Sequence, residues 1–237
     1  MDPQSPSKKR HVNSPKTSRS AAAFPRSVAG VPMPRRRFTH TAANIARTAL
    51  PAPVVRHAFR VFVFAALEAH RLRMAVMEDL LFVSAHFANM GLSASYADSL
   101  QRYELDGADA AKSFLENEGV RQAHGIAVWD AICLHTTPCV TERMGGLTQL
   151  LSYGVKLDLF GDGIEHLPEA ILDEILAVFP RGENFANEYL EAIGKGVVHR
   201  PESTFGTFSA DVLERYSATF YRSNFCGRVL GSLWDSP

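Results

Sequence analysis

An all-α protein is what this sequence predicts, and three observations predict it. Apolar residues recur at spacings of three and four over most of the chain beyond residue 40, proline and glycine punctuate the ends of those runs, and no stretch keeps up the β-branched alternation of a half-buried strand. TAANIARTAL, from Thr41, carries the first helical period and stops at Pro51 and Pro53, which restrict the backbone ahead of them. VVRHAFRVFVFAALEAHRL then sets Val54, His57, Ala58, Val61, Phe64 and Ala65 on one stripe, giving a helix from about Val54. A third helix covers roughly Met74 to Met90, with Gly91 as its C-terminal cap. ASYADSLQRYELDG reads as a loop, after which Asp106 or Asp109 caps ADAAKSFLENE and Gly119 stops it. Helices follow at Gln122 to His135 and at Thr141 to Phe160, bounded by Pro138 and Gly161. PEAILDEILAVF places Pro168 in a first turn, where a missing N–H costs nothing, and ends before Pro180. ENFANEYLEAIGKG and SADVLERYSATFYRS complete one helical domain from about residue 38.

The net charge of zero hides an asymmetry. Residues 1–37 hold nine Lys or Arg against one acid, Asp2, so that segment is +8 and the remainder −8. MDPQSPSKKRHVNSPKTSRS is rich in Pro, Ser and bases with little to bury, the composition of a disordered tail. KKRHVNSPK has the character of a nuclear signal and the Arg and Ser bias that of an organellar transit peptide, but short basic runs are weak signals. The body has no basic cluster and no Gly-rich phosphate loop, so nucleic acid is not an expected partner. No apolar run approaches the roughly 20 residues of a membrane helix, since VFVFAALEA stops at His70 and Arg71. Cys133, Cys139 and Cys226 form no close pair of the zinc-ribbon or redox kind, and their odd number argues against a disulfide framework. A reducing, cytoplasmic setting is the expectation.

Several polar residues share faces with apolar ones. His57 lies on the stripe of Val54, Val61 and Phe64; Asn89 follows Phe82 and Ala85; His135 follows Val128, Ala131 and Ile132; Asp158 follows Leu150, Leu151, Gly154 and Val155. A buried carboxylate without a partner costs several kcal/mol, so an inward Asp158 implies a cation, a metal or strong donors beside it. Lone core histidines are more often simply hydrogen-bonded than ligands, and Asn89 can serve as a cap or a cross-link through its amide.

Taken together, HAFRVFVFA, FANMGLS, RYELDGADAAKSFL, VWDAICLHTTP, PRGENF and HRPESTFGTF resemble the HD-domain family, in its cyanamide hydratase-like branch, over roughly Pro34 to Trp234. The resemblance implies an all-helical domain that binds divalent metal, Zn or Fe, through a first His, an adjacent His-Asp pair and a distant Asp. Carried over, the first His is His57 and the distant Asp is Asp158. The pair falls on Ala88 and Asn89, so the metal set shrinks to His57, Asp158 and Asn89, with metal weakly bound or absent. His86 lies about 200° around the helix from position 88 and does not replace it.

In the chemistry the resemblance implies, a metal-activated water adds to a small nitrile such as cyanamide to give urea. His135 is then the proton donor, Thr136 or Thr137 orients substrate, and Asp106 is either catalytic or a helix cap. Arg60 and Arg102 are candidate structural partners for acids. Three readings stand: a hydratase or related hydro-lyase acting on a small molecule, an HD phosphohydrolase, and a binding protein that keeps the fold after losing its metal. A homo-oligomer is compatible with each.

Overall fold

The computed structural model describes residues 25–235. Most of the basic tail lies outside the described residues, but its last part does not. Ser27–Val28 (β1) and Val31–Pro32 (β2) pair as a two-residue antiparallel hairpin, and Val28, Val31 and Met33 are buried. The chain is therefore folded from well before residue 38. Four buried apolar side chains, those of Val28, Ala29, Val31 and Met33, hold this short segment on the core, and Glu174 accepts the Ala29 N–H at 2.6 Å.

The remainder is helical, as its periodicity predicts. Arg37–Ala49 (α1) and Ala52–Arg71 (α2) meet at Pro51, the N-cap of α2. Glu78–Phe87 (α3) follows, and a run of short 3-10 turns leads to Tyr103–Asn117 (α4) and Gln122–Leu134 (α5). Thr141–Met144 (α6) and Gly146–Phe160 (α7) replace the single helix expected there, because Gly145 and Gly146 both take positive φ and break it. Glu169–Val178 (α8), Phe185–Val197 (α9), Phe208–Tyr216 (α10) and the short Phe225–Leu230 (α11) complete the chain.

Helix α2 is the axis of the molecule. It is buried along nearly its whole length and packs against α3, α7 and α9, while α4 and α5 pair with each other and α5 closes on α3 and α7. Its apolar stripe is therefore wider than one face, as a central helix requires. The α2–α7 crossing is unusually close. A Cβ on Gly154 would lie 2.4 Å from the Val61 carbonyl oxygen, so only glycine fits. One turn away on each helix stand His57 and Asp158. The two helices run antiparallel, and the glycine contact brings the imidazole and carboxylate within reach.

Two local expectations fail. Helix α3 ends at Phe87 rather than Met90, so Asn89 has left helical geometry (φ −106°, ψ 9°). Gly91 does not cap it with a left-handed turn; it is glycine because a Cβ would lie 2.1 Å from the Tyr103 carbonyl oxygen, where the chain passes under α4. Helix α4 begins at Tyr103, five residues ahead of the Ala108 expected, and neither Asp106 nor Asp109 caps it.

Candidate functional site

The centre is Asp158, on α7, 2% exposed. Its Oδ2 accepts a hydrogen bond from His57 Nδ1 at 2.6 Å and another from Arg60 Nη2 at 2.9 Å. Its Oδ1 accepts from Arg60 Nε at 2.6 Å and Arg181 Nη1 at 3.2 Å, and Arg181 also donates to the Asp158 backbone carbonyl. Arg60 is fully buried and spends its remaining Nη1 on the carbonyls of Phe179 and Pro180, at 3.1 and 3.2 Å. Phe185 presents its ring to both guanidinium groups, 4.8 Å from that of Arg60 and 4.3 Å from that of Arg181. Burial alone would raise the Asp158 carboxyl, but the hydrogen bonds and charges of His57 and Arg60 hold it well below the ordinary carboxylate range. Burial pushes His57 the opposite way from its partner, below the usual imidazole value despite Asp158, so its ring is neutral at neutral pH.

Around this ion pair the other inward residues form a connected polar core. Tyr189 of α9 stacks at a tilt on His57, centroids 4.9 Å apart, and its hydroxyl donates to Asn89 Oδ1 at 3.3 Å. Asn89 thus cross-links α3 to α9. His135, at the C-terminal end of α5, donates from Nδ1 to the Ile132 carbonyl at 2.6 Å, and the Tyr103 ring lies edge-on to it, centroids 6.2 Å apart. Burial, the largest influence, lowers the His135 pKa against the opposing pull of Glu104 and of the Ile132 hydrogen bond. Glu104 is itself buried; desolvation would raise it, but Arg102 at 3.0 Å and Thr136, whose Oγ1 donates at 2.7 Å, keep it ionised.

Asp106 belongs to a separate cluster. Arg200, also buried, donates to its carboxylate and to the backbone carbonyls of Gly91, Gln101 and Gly196, while Ser99 Oγ donates to Asp106 at 2.8 Å. Its carboxylate is a strut between α4, the 3-10 segment and the end of α9. His86 faces the core on another side, stacked on Phe82 and edge-on to Phe59, with centroids 4.0 and 4.5 Å away, and it bonds to the Phe82 carbonyl. It takes no part in the Asp158 centre.

The environment of His86 gives a pH test. Burial pushes its pKa down to about 4, against about 6.5 in the unfolded chain. The unfolded state therefore binds this proton first, and the native state loses stability as pH falls from about 6.5 towards 4, with the loss levelling off below that. His86→Leu removes this contribution, so lowering the pH from 7.5 to 5 costs the variant about 2 kcal/mol less than it costs the parent in urea titrations. An identical pH dependence in both would refute a buried neutral imidazole.

A divalent metal needs free lone pairs on its ligands. An ionised carboxylate has about four lone-pair directions, and four N–H donors already point at Asp158. The two arginines outweigh its single negative charge and Asn89 Oδ1 takes the Tyr189 hydroxyl, so His57, whose Nδ1 donates to Asp158, has its Nε2 to offer but no free carboxylate beside it. Among the described residues no group of three or more His, Cys, Asp or Glu side chains is placed to hold a metal ion. As arranged, these side chains do not fit one.

Above the polar core lies a cavity of about 480 Å³, walled by α9, α10 and the end of α7. Its lining is apolar, with Phe160, Phe185, Leu190, Ile193, Phe208 and Val212 prominent, and Arg181, Tyr189, Tyr103 and Thr136 reach it from the polar core. Sequence reasoning identified Arg60 as an acid's partner, but not Arg181, Tyr189 or Glu104. Tyr189 was legible on the Phe185, Tyr189, Ile193 stripe; Arg181 follows Pro180 in an irregular segment and carries no such signal. No helix among the described residues is long and apolar enough to cross a membrane. No family model matches the chain, and no curated protein matches it.

Proposed function

We propose that this chain is a metal-free, HD-type helical domain that binds a small apolar molecule in the cavity above Asp158. The observation that carries this reading is the double engagement of Asp158 by Arg60 and Arg181, the second of which also lines an apolar cavity of ligand size. In this reading Arg60 supplies the positive charge that a metal supplies in the family the sequence resembles. It is covalently attached and buried, so the centre is complete without an ion. Nothing in such a centre lowers the pKa of a water, and the family's hydration chemistry has no nucleophile there.

The meeting of His57, Asp158 and Asn89 around Tyr189 favours a second reading, a metal-dependent hydratase whose arginines move aside on loading. Calorimetry with 4-propylanisole, a compact apolar probe, and an assay of cyanamide conversion to urea separate the two. The binding reading expects one equivalent of 4-propylanisole bound by the full chain and lost in Ala186→Trp, which fills the cavity from an exposed position, with no urea formed. Metal-stimulated urea formation abolished by Asp158→Asn would overturn it.

A further inference from the structure

The polar end of the cavity has a specific unmet requirement. His135 is 2% exposed, and among the described residues its Nε2 has no hydrogen-bond partner. A buried polar atom left in this state is costly, and native proteins meet the need with a water or a ligand. A void of about 20 Å³ touches His135; Thr136, Leu159, Phe160 and Phe208 wall both this void and the larger cavity, so the two adjoin. That volume suits a single water or the polar end of a ligand.

The hydrogen-bond chemistry sets which kind of group fits. The Ile132 carbonyl can only accept, so Nδ1 of His135 carries the ring proton and Nε2 of the neutral imidazole offers a lone pair. Thr136, beside it, spends its hydroxyl hydrogen on Glu104 and also offers only lone pairs. His135 and Thr136, each with a lone pair to offer, both line the void. Resting on the binding reading above, we propose that the cavity takes a compact apolar molecule ending in one hydroxyl or N–H, which donates to Nε2 of His135. A ligand ending in an ether, ketone or hydrocarbon leaves that lone pair unmet.

The test compares 4-propylphenol with 4-propylanisole, its methyl ether, by calorimetry on the full chain. The phenol binds the parent protein about 10-fold more tightly, and His135→Phe brings the two ligands to within about 3-fold by weakening the phenol alone. Equal affinities in the parent protein overturn the assignment of His135 while leaving apolar binding intact. Failure of both probes to bind overturns the binding reading itself, and this assignment with it. The parent comparison decides the matter even where the variant folds poorly.

Discussion

Arg60→Met lowers the stability of the folded domain by about 3–5 kcal/mol, read as a drop in the urea midpoint at unchanged slope. The magnitude follows from what the substitution leaves behind. Asp158 is buried, and losing Arg60 removes two of its four donors and its only fully buried countercharge. Arg181 is partly exposed and bonds Oδ1 from the rim, so it offsets only part of the loss. The Phe179 carbonyl loses its donor as well, while that of Pro180 keeps Arg56 Nε at 2.9 Å. Adding Asp158→Leu recovers part of the stability, because replacing both members of a buried pair by apolar groups is often neutral or better, while the His57 N–H and the Phe179 carbonyl stay unmet. A double-mutant cycle thus separates a charge interaction from simple packing. If Arg60→Met alone costs under about 1 kcal/mol, the charge balance described for this centre is wrong.

Arg200→Met has a comparable cost, about 3–5 kcal/mol, and the same limit on rescue. Arg200 neutralises Asp106 and also satisfies three backbone carbonyls, those of Gly91, Gln101 and Gly196. Adding Asp106→Leu removes the orphaned charge and leaves the carbonyls of the buried Gly91 and Gly196 without their donor. Recovery is therefore partial, as it is for the Arg60 and Asp158 pair. The Gly91 carbonyl lies in the segment that follows Asn89, so near-ultraviolet circular dichroism, which reports the Tyr189 environment, changes in Arg200→Met. Full rescue by Asp106→Leu would show that the carbonyl bonds carry no weight.

What the sequence disclosed follows from the range over which each signal acts. The helices and the inward faces of His57, Asn89, His135 and Asp158 are legible because helical period is local, and Arg60 is legible as an acid's partner because it sits one turn from His57. The His57–Asp158 meeting needed one tertiary inference, the α2–α7 crossing that Gly154 permits. Arg200 and Asp106 are 94 residues apart, and nothing local in either sequence window announces the pair. Asp106 accordingly reads as a cap or a catalytic acid when its role in the fold is an ion-paired strut. His135 reads as a proton donor from its ordinary pKa; in the structure burial lowers that pKa and its Nδ1 donates to the Ile132 carbonyl. Residues 25–36 are lost in the composition of a basic tail, since four buried apolar side chains do not shift an average taken over 37 residues.

The most direct test of the central claim is the metal content of the full chain after incubation with excess Zn²⁺ or Fe²⁺ and gel filtration, paired with Tm in the presence of each ion and of a chelator. With Asp158 satisfied by arginine, the account predicts metal well below one equivalent and the same Tm in all conditions. A genuine site at 100 times its Kd would add about 2.7 kcal/mol of stability, which a melting curve registers as a clear rise. One equivalent of metal, with a raised Tm that Asp158→Asn abolishes, would contradict it.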